Sequence, residues 1–313
     1  MSERESDSAV AEETRPKIGR DEIVKRYATG ERNFKGLDLS RVDLSRLELK
    51  GADFTGSSLR AAKMFEAHLE GANLTDCDLQ GTFLAKTHLS GATARRANFK
   101  ECRLEGIEWR DIDLQGARFQ EARMKKAKFS DCQLKQAGFF EADLTGATFE
   151  SCRMYGAHLG KANLNGATLD RCRLQMARLA EADLSEARLS GCSFEGAELK
   201  GLSFAAAKLP HINLSESDLT GADFTGADLT GAILDRAHLK GARLNKAVLA
   251  RASLARTDLE MASLHEADLT GASLASANLD RADLRDAKLG GATLNGADLN
   301  SADVNGATVD DAT

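Results

Sequence analysis

The chain has 313 residues, with 42 Lys and Arg against 48 Asp and Glu and a formal net charge of −6. So mild a charge gives no ground for nucleic-acid binding; no apolar stretch approaches the roughly 20 residues of a membrane span, and the polar, acidic N-terminus lacks the apolar core of a signal peptide, so a cytoplasmic protein is expected. Aromatic residues make up only 5%, Pro occurs twice and Gly 27 times, which points to a core built from Leu and Ala rather than from large rings.

In chain order, residues 1–17 are rich in Ser, Glu and Arg and read as a disordered tail. Residues 18–31 read as a short capping helix, formed by Arg20 to Thr29 and stopped by Gly30. Ile23, Val24 and Tyr27 are expected to cover the element that follows, whose first inward positions, Leu37, Val42 and Leu47, are bulkier than the later ones.

Residues 32–313 are a repeat. From Phe34 to Val309, 56 successive positions spaced five apart are all apolar, without one insertion. Two residues before each apolar centre stands a small residue, usually Ala, as at Ala52, Ala72, Ala142, Ala222 and Ala302. Between the two comes Asp, Asn or another polar residue, and Ser/Thr and Gly follow, as in Ala222-Asp223-Phe224-Thr225-Gly226. A period of five fits neither a helix face nor a strand face, so the pattern is read as a repeat architecture.

This motif resembles the pentapeptide repeat family, and the resemblance covers residues 32–312. It implies an all-β fold, a right-handed quadrilateral parallel β-helix in which four pentapeptides make one 20-residue coil, about 14 coils in all at the inter-strand spacing of roughly 4.8 Å. The apolar centre and the small residue point inward, and stability is a sum over neighbouring coils. Members often dimerise end to end, which implies a homodimer through the uncapped C-terminal coil.

The six cysteines, Cys77, Cys102, Cys132, Cys152, Cys172 and Cys192, all occupy the small-residue position. They follow the repeat rather than the spacing of a disulfide framework or zinc site, and read as slightly larger stand-ins for Ala. Ala94 is the only centre reduced to a methyl, and Phe99, Ile107 and the sole tryptophan, Trp109, are expected to fill what it leaves empty.

The chemistry-bearing candidates are surface columns, since outward positions recur every 20 residues. Glu48, His68, His88 and Glu108 form one column that could hold a metal such as zinc, although ligands in a line do not readily converge tetrahedrally. The plain reading is a solvated ladder. Arg103, Arg123, Lys125, Lys126 and Lys128 form a basic cluster; residues 95–135 carry 11 Lys/Arg against 7 Asp/Glu. Such a cluster suits an acidic protein surface or phosphates. Asp258 and Asp298 share one acidic column and Asp283 and Asp303 another, in a stretch (256–313) with 11 acidic and 4 basic residues. By resemblance these columns look like the DNA-mimic surfaces of family members that protect DNA gyrase from quinolones; by themselves they are the Asp residues that turns favour. Phe65 and Phe83, outward on adjacent coils, are the best aromatic contact.

There is no nucleophile elbow, phosphate-binding loop or zinc-protease helix, and without insertions no loop builds a pocket. The chain is therefore expected to be no enzyme and to use no cofactor. The expected function is that of a protein-interaction scaffold or adaptor, a rigid rod presenting charged faces to a protein partner, with no direct nucleic-acid or membrane binding. The alternatives are binding and protection of DNA gyrase by DNA mimicry, and an accessory role in a bacterial secretion or effector system.

Overall fold

Five-residue spacing sets the local geometry. In Ala52-Asp53-Phe54-Thr55-Gly56, Ala52 and Phe54 are buried while Asp53 between them faces outward. The Asp53 carboxylate accepts hydrogen bonds from the Thr55 amide (3.0 Å) and hydroxyl (2.5 Å), which is why Asp or Asn suits this position. Gly56 then takes a left-handed conformation (φ 69°), and the Ser57 amide closes the corner on the Phe54 carbonyl (2.9 Å). The same corner is made by non-glycine residues such as Arg41 (φ 63°) and Met176 (φ 57°). The glycine is preferred there because it reaches positive φ without steric cost.

In this computed structural model residues 15–310 are described. The chain divides into two compact units, Met1–Leu144 and Thr145–Thr313. In each, the outward polar residue bridges in parallel to the residue 20 positions on, as in the runs Asn33–Asp53–Asn73–Thr93–Asp113–Gln133 and Ser253–Ser273–Thr293. With a bridge at every fifth residue and a partner 20 residues away, each coil has four sides: a parallel β-solenoid, as expected. Its best-paired side is strand-like. In the first unit β1 (Glu108–Arg110) pairs with β2 (Lys128–Ser130). In the second, β3 (Thr148–Glu150), β4 (Thr168–Asp170) and β5 (Arg188–Ser190) pair in that order. Among the described residues no helix is long and apolar enough to cross a membrane.

The core is a stack of Leu and Phe centres with small residues beside them. Phe99, Phe119 and Phe139 stack at 4.9 and 5.0 Å. Trp109 packs against Phe99 (5.7 Å) and edge-on to Phe129 (5.7 Å), while Ala94 is buried. Where a polar atom replaces the Ala methyl, it donates in several cases to the preceding coil, whereas Ser217 Oγ donates to the Leu214 carbonyl of its own coil (2.6 Å). Cys77 Sγ donates to the Phe54 carbonyl (2.8 Å), Thr82 Oγ1 to Leu59 (2.8 Å) and Thr257 Oγ1 to Leu234 (3.0 Å). The cysteines are therefore coil-to-coil donors as well as space fillers. Burial pushes the Cys77 and Cys102 thiols up to about 12, which makes them poor nucleophiles.

The helix α1 (Arg20–Ala28) carries Asp21 and Glu22 in its first turn and Lys25 and Arg26 in its last, matching the helix dipole. It caps the first coil through Ile23, which is fully buried. Polar donors complete the cap: Arg20 Nη1 reaches the Asp43 carbonyl (2.6 Å) and Tyr27 Oη the Lys50 carbonyl (3.1 Å). Val24, expected to join Ile23, is instead 44% exposed, because it lies on the outer side of the helix. The assigned tail largely precedes the described residues. Its last part is ordered: Lys17 bridges Asp38, and the Pro16 carbonyl accepts the Asp38 amide (2.9 Å). At the other end Leu299, Val304 and Val309 are 39, 49 and 57% exposed.

Among the described residues the ladder parts beside Asp183 and Arg188 and beside His88. In the second unit, the bridges that would join Asp183 to Ser203 and Arg188 to Lys208 are absent among the described residues, whereas Ser193–Asn213 and Glu198–Asp218 are made. The amides of Leu184, Glu186, Leu189 and Gly191 donate to no carbonyl across this gap. A cleft of about 920 Å³ opens there, lined by the two facing segments, Leu184–Ser190 and Ser203–Pro210. The residue at the adjoining small position is Leu202, one coil on from Ala182, where the repeat usually has Ala. In the first unit Ile107 occupies the corresponding position, and the His88–Glu108 bridge is likewise absent.

The turn carboxylates also set the response to acid. Asp43, Asp183 and Asp228 are held below the ordinary carboxylate range, chiefly by the hydroxyl two residues on (Ser45, Ser185 and Thr230) and then by its amide, against a smaller cost of burial. A carboxyl whose folded value lies below its unfolded value stabilises the fold fully above the unfolded value and loses that contribution as pH falls through the folded one. The melting temperature should thus stay level from about pH 7 to about 5 and drop below about 4. Circular-dichroism melts across that range check this, and a melting temperature indifferent to acid would contradict it.

Candidate functional site

Outward columns in the first unit bring most of the candidate residues onto named faces. Glu48, His68 and His88 bridge in succession, and the two imidazoles stack at 4.5 Å with an 8° tilt. His68 is held on one nitrogen, with Nδ1 3.3 Å from Glu70 Oε1, while Nε2 lies 3.7 Å from Glu48 Oε1. Glu108 does not join them. The ladder is broken beside it, and its carboxylate pairs with Lys128 Nζ at 2.7 Å. The His/carboxylate group that does converge, the one such group among the described residues, is His68, Glu70 and His88, with ligating atoms all within 4.8 Å. Glu70 belongs to the neighbouring corner position, and only its reach back to His68 reveals it.

Phe65 and Phe83 do meet, stacked at 6.0 Å and 18°. They are half-buried rather than projecting. Arg46 and Lys86 lie over the Phe65 ring at 5.9 and 5.6 Å, and both are held by Glu66 (3.1 and 3.6 Å). The aromatic pair is thus the floor of a charged cluster.

The basic cluster is narrower than the residue count suggests. Lys125 pairs with Asp143 (3.4 Å), Lys128 with Glu108, Arg95 with Asp113 (2.6 Å), Arg96 with Asp76 (2.6 Å), and Lys100 with Glu121 (3.2 Å). Arg103 and Arg123 bridge directly, one coil on the next, and both are exposed. With Lys126 they form an exposed cationic strip that has no ion pair among the described residues. Asp143 follows Arg123 in the same column but is held by Lys125, and the two successive arginines favour an anionic partner.

The acidic columns in the second unit are more occupied. Asp258 Oδ1 accepts the Glu260 amide (3.1 Å) and the Asn278 side-chain amide (3.0 Å). Asp283 and Asp303 do stack, but Arg285 reaches both, at 2.8 and 3.8 Å. The Arg285 guanidinium also holds the Asp283 carboxyl below its ordinary range, with burial opposing it. Asp298 is exposed and accepts the Asn300 amide (3.0 Å). These carboxylates fasten corners first and present charge second.

The sequence matches the family profile described as "Pentapeptide repeat region" over residues 52–129, 95–179 and 167–244, and "Pentapeptide repeats (8 copies)" over 232–271 and 277–313. No curated protein sequence matches the chain. Among solved structures it is similar to HetL, a pentapeptide repeat protein involved in heterocyst differentiation regulation in the cyanobacterium Nostoc (30% identity, 93% of this chain and 96% of that one, TM-score 0.23). It is also similar to trypsin-treated QnrB1, a plasmid-mediated fluoroquinolone resistance protein (20% identity, 54% of this chain and 86% of that one, TM-score 0.45). A third similarity is to Rfr23 of the cyanobacterium Cyanothece (25% identity, 39% and 90%, TM-score 0.27).

Proposed function

This chain belongs to the pentapeptide repeat family, and on that premise we propose that it is a non-catalytic interaction scaffold whose first unit presents a cationic strip to an acidic protein surface. The observation that carries this reading is the strip itself: Arg103 bridged to Arg123 on adjacent coils and Lys126 three residues on, all exposed, while Lys125 and Lys128 next to them are paired. The β-ladder holds the backbone under these side chains at fixed spacing, so only the side chains themselves are ordered on binding. Glu108 and Glu121 are engaged by Lys128 and Lys100, which leaves Glu105 as the neighbouring carboxylate that tempers the strip's positive potential.

A second reading, protection of DNA gyrase by DNA mimicry, is favoured by the stacking of Asp283 on Asp303 and the exposure of Asp298. Arg285 on the first pair and the backbone amide on Asp298 reduce the charge that this face offers.

One experiment separates the two. The full chain and two variants, Arg103→Glu/Arg123→Glu/Lys126→Glu and Asp283→Lys/Asp298→Lys/Asp303→Lys, are used to capture partners, and each is assayed for inhibition of gyrase supercoiling. The expected result is a partner lost at least about tenfold with the first variant alone, in keeping with removal of several charge contacts. Gyrase inhibition abolished by the second variant would replace the first reading with the second.

A further inference from the structure

We propose that His68, Glu70 and His88 form a binding site for one divalent transition-metal ion of the zinc class. The donor set, two imidazoles and one carboxylate, is borderline in softness and suits zinc, cobalt, nickel or copper rather than magnesium or calcium. The ligating atoms already lie within 4.8 Å of one another.

Three features of the site point to a cation. Glu70 Oε2 is buried and has no hydrogen-bond partner, and an orphaned carboxylate oxygen is costly to keep. Glu70 Oε1 faces His68 Nδ1 at 3.3 Å. When that nitrogen carries its lone pair, the two acceptors repel unless a proton or a metal lies between them. The other nitrogen of His68, Nε2, lies 3.7 Å from Glu48 Oε1, just beyond hydrogen-bond reach, so a small movement of Glu48 lets it take the remaining N–H of a metal-bound imidazole. Glu48 is thus the positioning residue.

As it stands the His88 ring is stacked on His68, so their in-plane lone pairs run parallel and do not meet; His88 must turn its ring before both can reach one ion. The missing bridge to Glu108 leaves His88 exposed at the edge of a cleft lined also by Arg46, Glu66, Thr87 and Gly106. The ring turns about its outer torsion without disturbing a ladder bond on that side. Lys50 is the competing cation: its Nζ lies 3.6 Å from both Glu48 Oε2 and Glu70 Oε1. Metal binding must displace it toward solvent.

The test is titration of the full chain with cobalt(II) read by visible absorption, followed by displacement with zinc(II) read by calorimetry. One equivalent should bind. His68→Ala, His88→Ala and Glu70→Gln should each weaken binding by about 10- to 100-fold, and Glu48→Gln by about tenfold. Lys50→Gln should strengthen it, a change of sign that a merely structural role for the cluster does not predict. Metal-free circular-dichroism melts establish that each variant is folded. Binding unchanged in His88→Ala would overturn the proposal, as would no saturation at millimolar metal. So would a sulfur-to-cobalt charge-transfer band, which would place the metal on the buried cysteines.

Discussion

Replacing Leu202 by Ala should raise the stability of the second unit, although it removes a nearly buried leucine from the core. Truncating a buried leucine ordinarily costs about 2–5 kcal/mol, and that is the expected outcome for Leu219→Ala, a fully buried centre on the next side. At Leu202 the balance reverses. The side chain stands where the repeat places Ala, and the amides of Leu184, Glu186, Leu189 and Gly191 go without acceptors beside it. Each ladder bond regained contributes about 0.5–1.5 kcal/mol, and relief of overpacking another 1–3 kcal/mol or so. Together these exceed the loss of the leucine.

Hydrogen exchange gives the sharpest reading of this substitution. In the wild type the four unpaired amides should exchange on the order of 10³-fold faster than their counterparts Leu164 and Gly166, which donate to Asp183 and Ser185 (both 2.8 Å). In Leu202→Ala they should become protected. Uniform protection in the wild type, or a variant that melts as low as Leu219→Ala, would refute the link between Leu202 and the parted ladder.

The second large effect is expected at the N-terminal cap. Ile23→Asp puts an unpaired carboxylate into a fully buried position under the first coil, at a cost of about 3–5 kcal/mol. Coils in a solenoid are stabilised by their neighbours, so the damage should begin locally. Amides of the first coil, such as Phe34, Leu39 and Leu44, should lose protection before those of the second unit. Arg20→Ala, which frees the Asp43 and Ser45 carbonyls but leaves Ile23 in place, should do the same more weakly, by about 1–2 kcal/mol. A uniform fall in protection through both units would show that the helix does not act as an end cap.

The register of this fold was legible in the residues because the period of five is itself the structural unit. A small residue, a turn-forming Asp or Asn and an apolar centre determine which side chains are buried, where the chain corners, and that residue i pairs with residue i + 20. The column pairs Arg103–Arg123, His68–His88 and Asp283–Asp303 follow from that arithmetic, and all are present. The sequence also marks the capping helix, though not which of Ile23 and Val24 turns inward, since that depends on how the helix docks.

What the tertiary structure alone decides is which of these columns remain charged, and where the stack fails to close. Long side chains reach across corners to other columns, so a count by column misassigns partners. Glu108 turns to Lys128 and leaves the histidines, Glu70 reaches in from a neighbouring position, and Arg285 covers the acidic pair. Leu202 and Ile107 keep the apolar pattern unbroken, yet the ladder parts beside each. Bulk at that position is not sufficient by itself, since Ile112 and Ile212 sit beside intact bridges; a hydrophobic period records that a side chain belongs inside, whereas the space available to it is determined by the coil packed against it.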